Sequence, residues 1–207
     1  MSDDSQDPLI AGYRRFRADH WPEAKAEYEA LAAGQTPHTL IVACSDSRAD
    51  PALIFDAAPG QLFVVRNVAN IVPPYEPDGL LHGVSAALEF GVKALNVRRI
   101  VVMGHAHCGG VAAMRHGAPD SVQDFVAPWI AQGTPVVRHV AETVEPDDIE
   151  RASEEAVVRL SIRNLRTFPW IAEREAKGEL QLSGLHFGIA EGALTALTDK
   201  PRFEPLD

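Results

Sequence analysis

The 207-residue sequence holds only two cysteines, Cys44 and Cys108. Two thiols build no disulfide framework, so the fold does not rest on cross-links and a reducing cytoplasm is the expected compartment. Basic residues are in the minority, 19 Lys and Arg against 29 Asp and Glu, for a formal net charge of −10. That balance argues against nucleic acid or an anionic membrane as a partner. An anionic substrate stays open, because local charge governs a site. No apolar run approaches the ~20 residues that span a bilayer. Met1-Ser-Asp-Asp-Ser-Gln-Asp-Pro8 shows no charged-then-apolar signal pattern, and residues 1–7 are expected to be disordered. Internal repeats, low-complexity tracts and linkers are missing too, so residues 1–207 read as one domain. A chain of this length buries roughly 70% of the surface its unfolded form exposes.

What is present is an alternation of apolar β-type runs with helical patterns, which implies an α/β fold around a mostly parallel sheet. Leu9–Ala33 reads as a helix with a break near Trp21-Pro22; its apolar positions, from Ile10 to Leu31, suit packing on its own sheet or on a partner subunit. Thr39–Cys44 is a continuous apolar strand of the buried parallel type. Pro51–Ala57 is a short helix, Leu62–Val68 a second strand, Leu80–Leu95 a helix and Arg99–Met103 a third strand. A helix starts at Cys108. Ser121–Arg138 is helical with an interruption at Pro128. Pro146–Leu165 is a long helix whose acidic start suits its dipole, and Phe168–Lys177 is another. Leu180–Ile189 alternates as a strand, and Ala193–Leu197 returns as a last, antiparallel one.

The chemistry concentrates at two strand ends. Cys44-Ser-Asp-Ser-Arg48 follows the first strand and Gly104-His-Ala-His-Cys-Gly-Gly110 the third. In open α/β sheets ligands gather beyond the carboxyl ends of the strands, which would bring Cys44, His105 and Cys108 together. Two thiolates and an imidazole suit zinc, with the fourth tetrahedral position open, as in catalytic sites. Gly104, Gly109 and Gly110 let the backbone turn tightly there, and the N–H groups at the start of the helix favour anionic sulfur. Buried cysteines are common without a metal, but the joint pattern outweighs that reading. His107 lies between two ligands and is expected to face solvent. His20, His38, His82, His116, His139 and His186 belong to no motif.

These two blocks, with Pro59-Gly-Gln-Leu-Phe-Val-Val-Arg-Asn-Val-Ala-Asn70 between them, resemble the β-class carbonic anhydrases in order and spacing, from about Gln35 to Val111. The resemblance implies a carbonate dehydratase, a zinc lyase with one Zn2+ per subunit. Hydroxide generated on zinc attacks CO2 to give bicarbonate. Hydrolysis of CS2 or COS on the same site is the near alternative, and a non-catalytic zinc protein used for assembly the distant one. Asp46 and Arg48 are the implied catalytic pair. If strand geometry continues past Cys44, all three side chains lie on one side, and Arg48 holds the Asp46 carboxylate in a bidentate contact. Asp46 then accepts a hydrogen bond from the zinc ligand, or swings to zinc as a fourth ligand in a closed state. The family pattern further implies substrate-binding roles for Gln35, Phe63, Val68 and Phe90, with hydrophobic core as the plainer reading of the apolar three. It also implies N-terminal helices that pack on a partner subunit, giving a homodimer or a dimer of dimers. Some members carry a second bicarbonate site made of a tryptophan, an arginine and a tyrosine. The matching positions here are Ile41, Arg66 and Phe187, and with Gln35 this points to the open, unregulated type.

Overall fold

The computed structural model describes residues 7–198 and 202–206. The expected disorder of residues 1–6 lies outside them. Asp7 is ordered as a cap, its carboxylate accepting the Leu9 N–H at 2.7 Å.

The chain forms two compact units, Met1–Thr36 and Pro37–Asp207. The first contains α1 (Pro8–Arg15) and α2 (Trp21–Leu31), joined by a π-helical turn over Phe16–His20. Pro22 lacks an N–H and its ring crowds the carbonyl four residues back. The helix absorbs this by widening, with the Trp21 N–H reaching Phe16 O, so the expected break is a π-turn. Phe16 meets Trp21 and Tyr28 edge-on there at 6.2 Å, and the Trp21 and Tyr28 rings are tilted at 5.2 Å.

The second unit is built on a six-stranded sheet: β1 (Thr39–Cys44), β2 (Leu62–Asn67), β3 (Arg99–His105), β4 (Gln181–Gly188), β5 (Ala193–Leu197) and β6 (Phe203–Pro205). The order is β2-β1-β3-β4-β5-β6. The pairs β1–β2, β1–β3 and β3–β4 are parallel; β4–β5 and β5–β6 are antiparallel. The mostly parallel sheet with an antiparallel end is as expected, and β6 adds one strand that the sequence reading ends before. Strand order reverses across β1 and β3, which is where a crevice opens in doubly wound sheets.

Seven α-helices complete this unit among the described residues: α3 (Pro51–Ile54), α4 (Gly83–Glu89), α5 (Gly109–His116), α6 (Val126–Ile130), α7 (Thr134–Thr143), α8 (Ile149–Leu165) and α9 (Pro169–Ala176). The interruption expected at Pro128 falls instead at 131–133. Pro128 sits in the first turn of α6, where its missing N–H has no intrahelical partner to lose.

The long helix α8 positions the site. Ser153, Glu154, Val157, Val158, Ser161, Ile162 and Leu165 are buried along one stripe, at the spacing of one helix face. A Cβ at Gly104 or Gly184 would lie 2.8 or 2.9 Å from a Val158 methyl, so these two glycines let α8 lie directly on β3 and β4. The core beneath includes Leu40, Val42, Ile100, Val102, Val158 and Phe168. Each such side chain contributes about 1.5–3 kcal/mol by leaving water. Ser161 and Asn164 also reach the loop after β2. Ser161 Oγ donates to Asn70 O and accepts from Val72 N, both at 3.0 Å, and Asn164 Nδ2 donates to Val72 O at 2.7 Å.

Candidate metal centre

Cys44 is the last residue of β1 and His105 the last of β3, on adjacent parallel strands. Cys108 is the N-cap of α5. The three ligating atoms lie within 4.8 Å of one another, and all three residues are buried. The sulfurs are 3.9 Å apart. A disulfide would need about 2.05 Å, whereas two sulfurs at tetrahedral zinc distances stand about 3.8 Å apart.

The imidazole is oriented for a cation. Its Nδ1–H donates to Ala106 O at 2.9 Å, which leaves the Nε2 lone pair facing the sulfurs. Nε2 is buried and has no hydrogen-bond partner. An orphaned ring nitrogen beside two thiols is the donor set a zinc ion satisfies. In the contact between the two sulfurs either thiol can be the donor. The contact with Cys108 brings the Cys44 pKa down to about 4 against the opposing effect of burial. The same contact, with burial, pushes Cys108 up. The backbone N–H groups of Asp46 and Ala69 also lower the Cys44 pKa, and those of Gly110 and Val111 act in the same direction on Cys108. Burial works against a charged His105, but its contacts with Cys44, Ala106 and Asp46 raise its pKa overall.

Ala69 has a left-handed backbone, φ 63°, a conformation that a residue with a Cβ takes only under constraint. The constraint is visible. Asn67 bonds both backbone groups of Ile71 at 2.9 Å, and Trp129 Nε1 donates to Val68 O at 2.8 Å. A Cβ at Gly110 would meet Val68 and Ala69 within 2.9 Å, so this glycine admits the loop against α5.

Asp46 and Arg48 are brought together, by a different route from the one expected. The strand stops at Cys44. Asp46 starts a turn whose carboxylate accepts the Arg48 backbone N–H at 2.9 Å, the local bonding that Asp favours. Arg48 then grips the same carboxylate with Nε at 2.9 Å and a terminal nitrogen at 2.7 Å. Its guanidinium also reaches His107 O at 3.1 Å, tying the two loops together. The Arg48 bonds hold the Asp46 carboxyl well below the usual carboxylate range. Asp46 Oδ2 stands 3.9 Å from His105 Nε2, beside the three donors.

Arg66 is fully engaged in structure. It donates to Cys44 O at 2.9 Å, Asp46 O at 2.6 Å and Asp50 Oδ2 at 2.9 Å. Val68 packs in the cluster that contains Cys44 and Cys108. Phe63 and Phe90 do not reach the centre of their own chain. Phe63 pairs with Leu40, four residues from the Cys44–Asn67 pair, about 13 Å along the strand. Its ring meets Phe90 at 5.9 Å, and Phe90 is exposed. Gln35 lies in the N-terminal unit and is exposed. His107 is exposed as expected, at 3.2 Å from Glu150.

A family model described as carbonic anhydrase matches residues 39–194. The chain belongs to the β-class carbonic anhydrases. It is 33% identical to beta carbonic anhydrase 3 of Arabidopsis thaliana over 91% of this chain and 75% of that one. With a carbonic anhydrase of Pseudomonas aeruginosa it shares 37% identity over 94% and 88%. Among solved structures, the β-carbonic anhydrase CcaA superposes with a TM-score of 0.88 at 31% identity, covering 99% of this chain and 93% of that one. One of two tetrameric β-carbonic anhydrases of Sordaria macrospora follows with a TM-score of 0.71 at 31% identity, covering 93% of both. The likeness to CcaA spans both compact units of this β-carbonic anhydrase, not the metal loops alone.

Two residues of the centre carry no sign in the sequence. Glu154, on α8, accepts the Cys108 N–H at 3.2 Å, and His186, on β4, meets the other oxygen of that carboxylate at 2.8 Å. Neither belongs to a motif, and the three positions come together only when α8 docks on β3 and β4.

Proposed function

We propose that this protein catalyses the reversible hydration of carbon dioxide to bicarbonate with one zinc ion held by Cys44, His105 and Cys108. The observation that carries this reading is the orphaned Nε2 of His105 facing two sulfurs 3.9 Å apart, with the Asp46–Arg48 pair at its side. Zinc held by such a set supplies hydroxide at usable pH by acidifying water. The chain's own residues do the rest. Asp46, pinned by Arg48, is an acceptor only, so it favours a ligand that has a proton to donate. Val68 supplies an apolar surface for uncharged CO2.

Gln35, Phe63 and Phe90 would serve the site in an assembly of two or more copies, with the N-terminal helices packing on the partner. The tetrameric relatives from Sordaria macrospora support a homo-oligomer. We take the chain as one functional domain in which the second unit carries every metal ligand. Both cysteines serve as thiolate ligands, which suits a cytoplasmic protein; no described helix is long and apolar enough to cross a membrane.

Stopped-flow CO2 hydration by the zinc-loaded protein tests the reading. The value of kcat/KM is expected to rise from about pH 6 to about pH 9, because two thiolates offset the metal's charge and leave water less acidic than the pKa of ≈ 7 seen with three imidazoles. The dyad does not contribute to that rise. A depressed carboxylate pKa means Asp46 is ionised throughout this range, and the stability it lends disappears only as pH falls through the folded value. No hydration above background at any pH would refute the function, and a profile flat from acid to neutral would refute the pH assignment.

The open type is also part of this proposal. Asp46 is paired to Arg48 and stands outside the three-residue donor group. Ile41 is buried in β1 and has no side-chain donor, Phe187 lacks a hydroxyl, and all three Arg66 nitrogens have partners. Bicarbonate is therefore expected to inhibit hyperbolically, with a Hill coefficient of about 1. Initial rates over a bicarbonate series at fixed pH and ionic strength check this, and a sigmoidal curve would contradict it.

A further inference from the structure

The turn Ala106-His107-Cys108 is held at each end of its hydrogen-bonding run. Ala106 N–H donates to Phe187 O at 2.9 Å, and His107 O accepts from Arg48 at 3.1 Å. Cys108 N–H goes to Glu154 Oε1 at 3.2 Å. Glu154 is 3% exposed, and His186, which fixes its second oxygen, is 4% exposed. A buried carboxylate is costly unless its oxygens are bonded, and this one is bonded on both. His186 is itself set edge-on against Phe203 of β6, with ring centroids 6.5 Å apart. A line of contacts therefore runs from β6 through His186 and Glu154 to the backbone of Cys108.

We infer that Glu154, fixed by His186, is a positioning residue for the metal: by reaching the Cys108 N–H it holds that thiolate in ligating geometry. His107, next to Cys108, has a left-handed φ of 56°, an unfavourable backbone for a residue with a Cβ. Released from Glu154, Cys108 N–H has no other acceptor among its described contacts and the turn can relax. The sulfur then leaves the position that the donors at Cys44 and His105 require. The role depends on reach, not on charge. A glutamine can accept from Cys108 N–H through its oxygen and, with the His186 ring proton moved to Nδ1, donate to His186 Nε2 through its amide. An aspartate keeps the charge but is one methylene too short to bridge both partners.

This inference rests on Cys108 being a zinc ligand. The experiment loads the full-length wild-type protein, Glu154→Gln and Glu154→Asp with zinc and follows zinc release into an excess of a chromogenic chelator. Spectra of the cobalt(II)-loaded forms accompany it. Glu154→Asp is expected to release zinc about tenfold to a hundredfold faster, the usual effect of losing an outer contact to a ligand, with a shifted thiolate-to-cobalt band. Glu154→Gln should stay within about threefold of wild type with an unshifted band, a rescue that a purely ionic role does not give. Equal release from all three, equal loss in both variants, or loss in Glu154→Gln alone would each overturn the inference. Wild type that takes up no zinc overturns the metal assignment itself, and so separates the two failures.

Discussion

Cys108→Ser and His105→Ala are each expected to weaken zinc binding by about a hundredfold to a thousandfold. Four-ligand structural sites bind zinc with an apparent free energy of about 10–16 kcal/mol, or about 2.5–4 kcal/mol for each ligand, which is that factor. This centre has three protein donors among the described residues, so the loss of one leaves two. The serine variant is the cleaner test, since it keeps the size of a fully buried side chain, 2% exposed, and replaces only the sulfur. His105→Ala also removes a buried ring and adds a cavity cost of a few kcal/mol. Its melting curve should be taken alongside, to separate lost metal from lost fold. Competition against a chelator of known affinity gives the answer. Wild-type affinity in both variants would remove Cys108 and His105 from the ligand set.

The legible part of this protein is the part written locally. Cys44 and His105 end apolar strands, and Cys108 starts a helix three residues later; strand alternation and helix starts are short-range signals. Their meeting follows from parallel β1 and β3 being neighbours. The Asp46–Arg48 contact was legible as a pair but not as a geometry, because a turn, not a strand, places it. Relations set by tertiary register are not legible. Phe63 stands four residues from the level of Cys44 on the neighbouring strand. Glu154 reaches Cys108 across 46 positions only because Gly104 and Gly184 admit α8. Backbone adjustments were legible only in part. Pro22 marked a break near Trp21 but not its form as a π-turn, and the left-handed Ala69 leaves no composition signal.

Asp46→Ala is expected to lower kcat/KM for CO2 hydration by about a hundredfold or more while leaving zinc in place. A positioned acid–base or hydrogen-bonding group contributes about 10²–10⁴ to a rate, and this carboxylate is positioned three times over by Arg48. Metal retention follows from geometry, since the donor group consists of Cys44, His105 and Cys108 without Asp46. Stability should change little. Arg48 is half exposed, so water can replace its lost partner. Asp46→Asn sharpens the reading, because its amide oxygen still accepts from Arg48 but the side chain is no longer acceptor-only. If selection of a proton-bearing ligand is what Asp46 does, the asparagine variant loses activity nearly as far as the alanine one. Zinc content, melting temperature and stopped-flow rates on the same preparations give all three comparisons. Activity near wild type in Asp46→Ala with full zinc would reduce the Asp46–Arg48 pair to a structural clasp between the loops after β1 and β3.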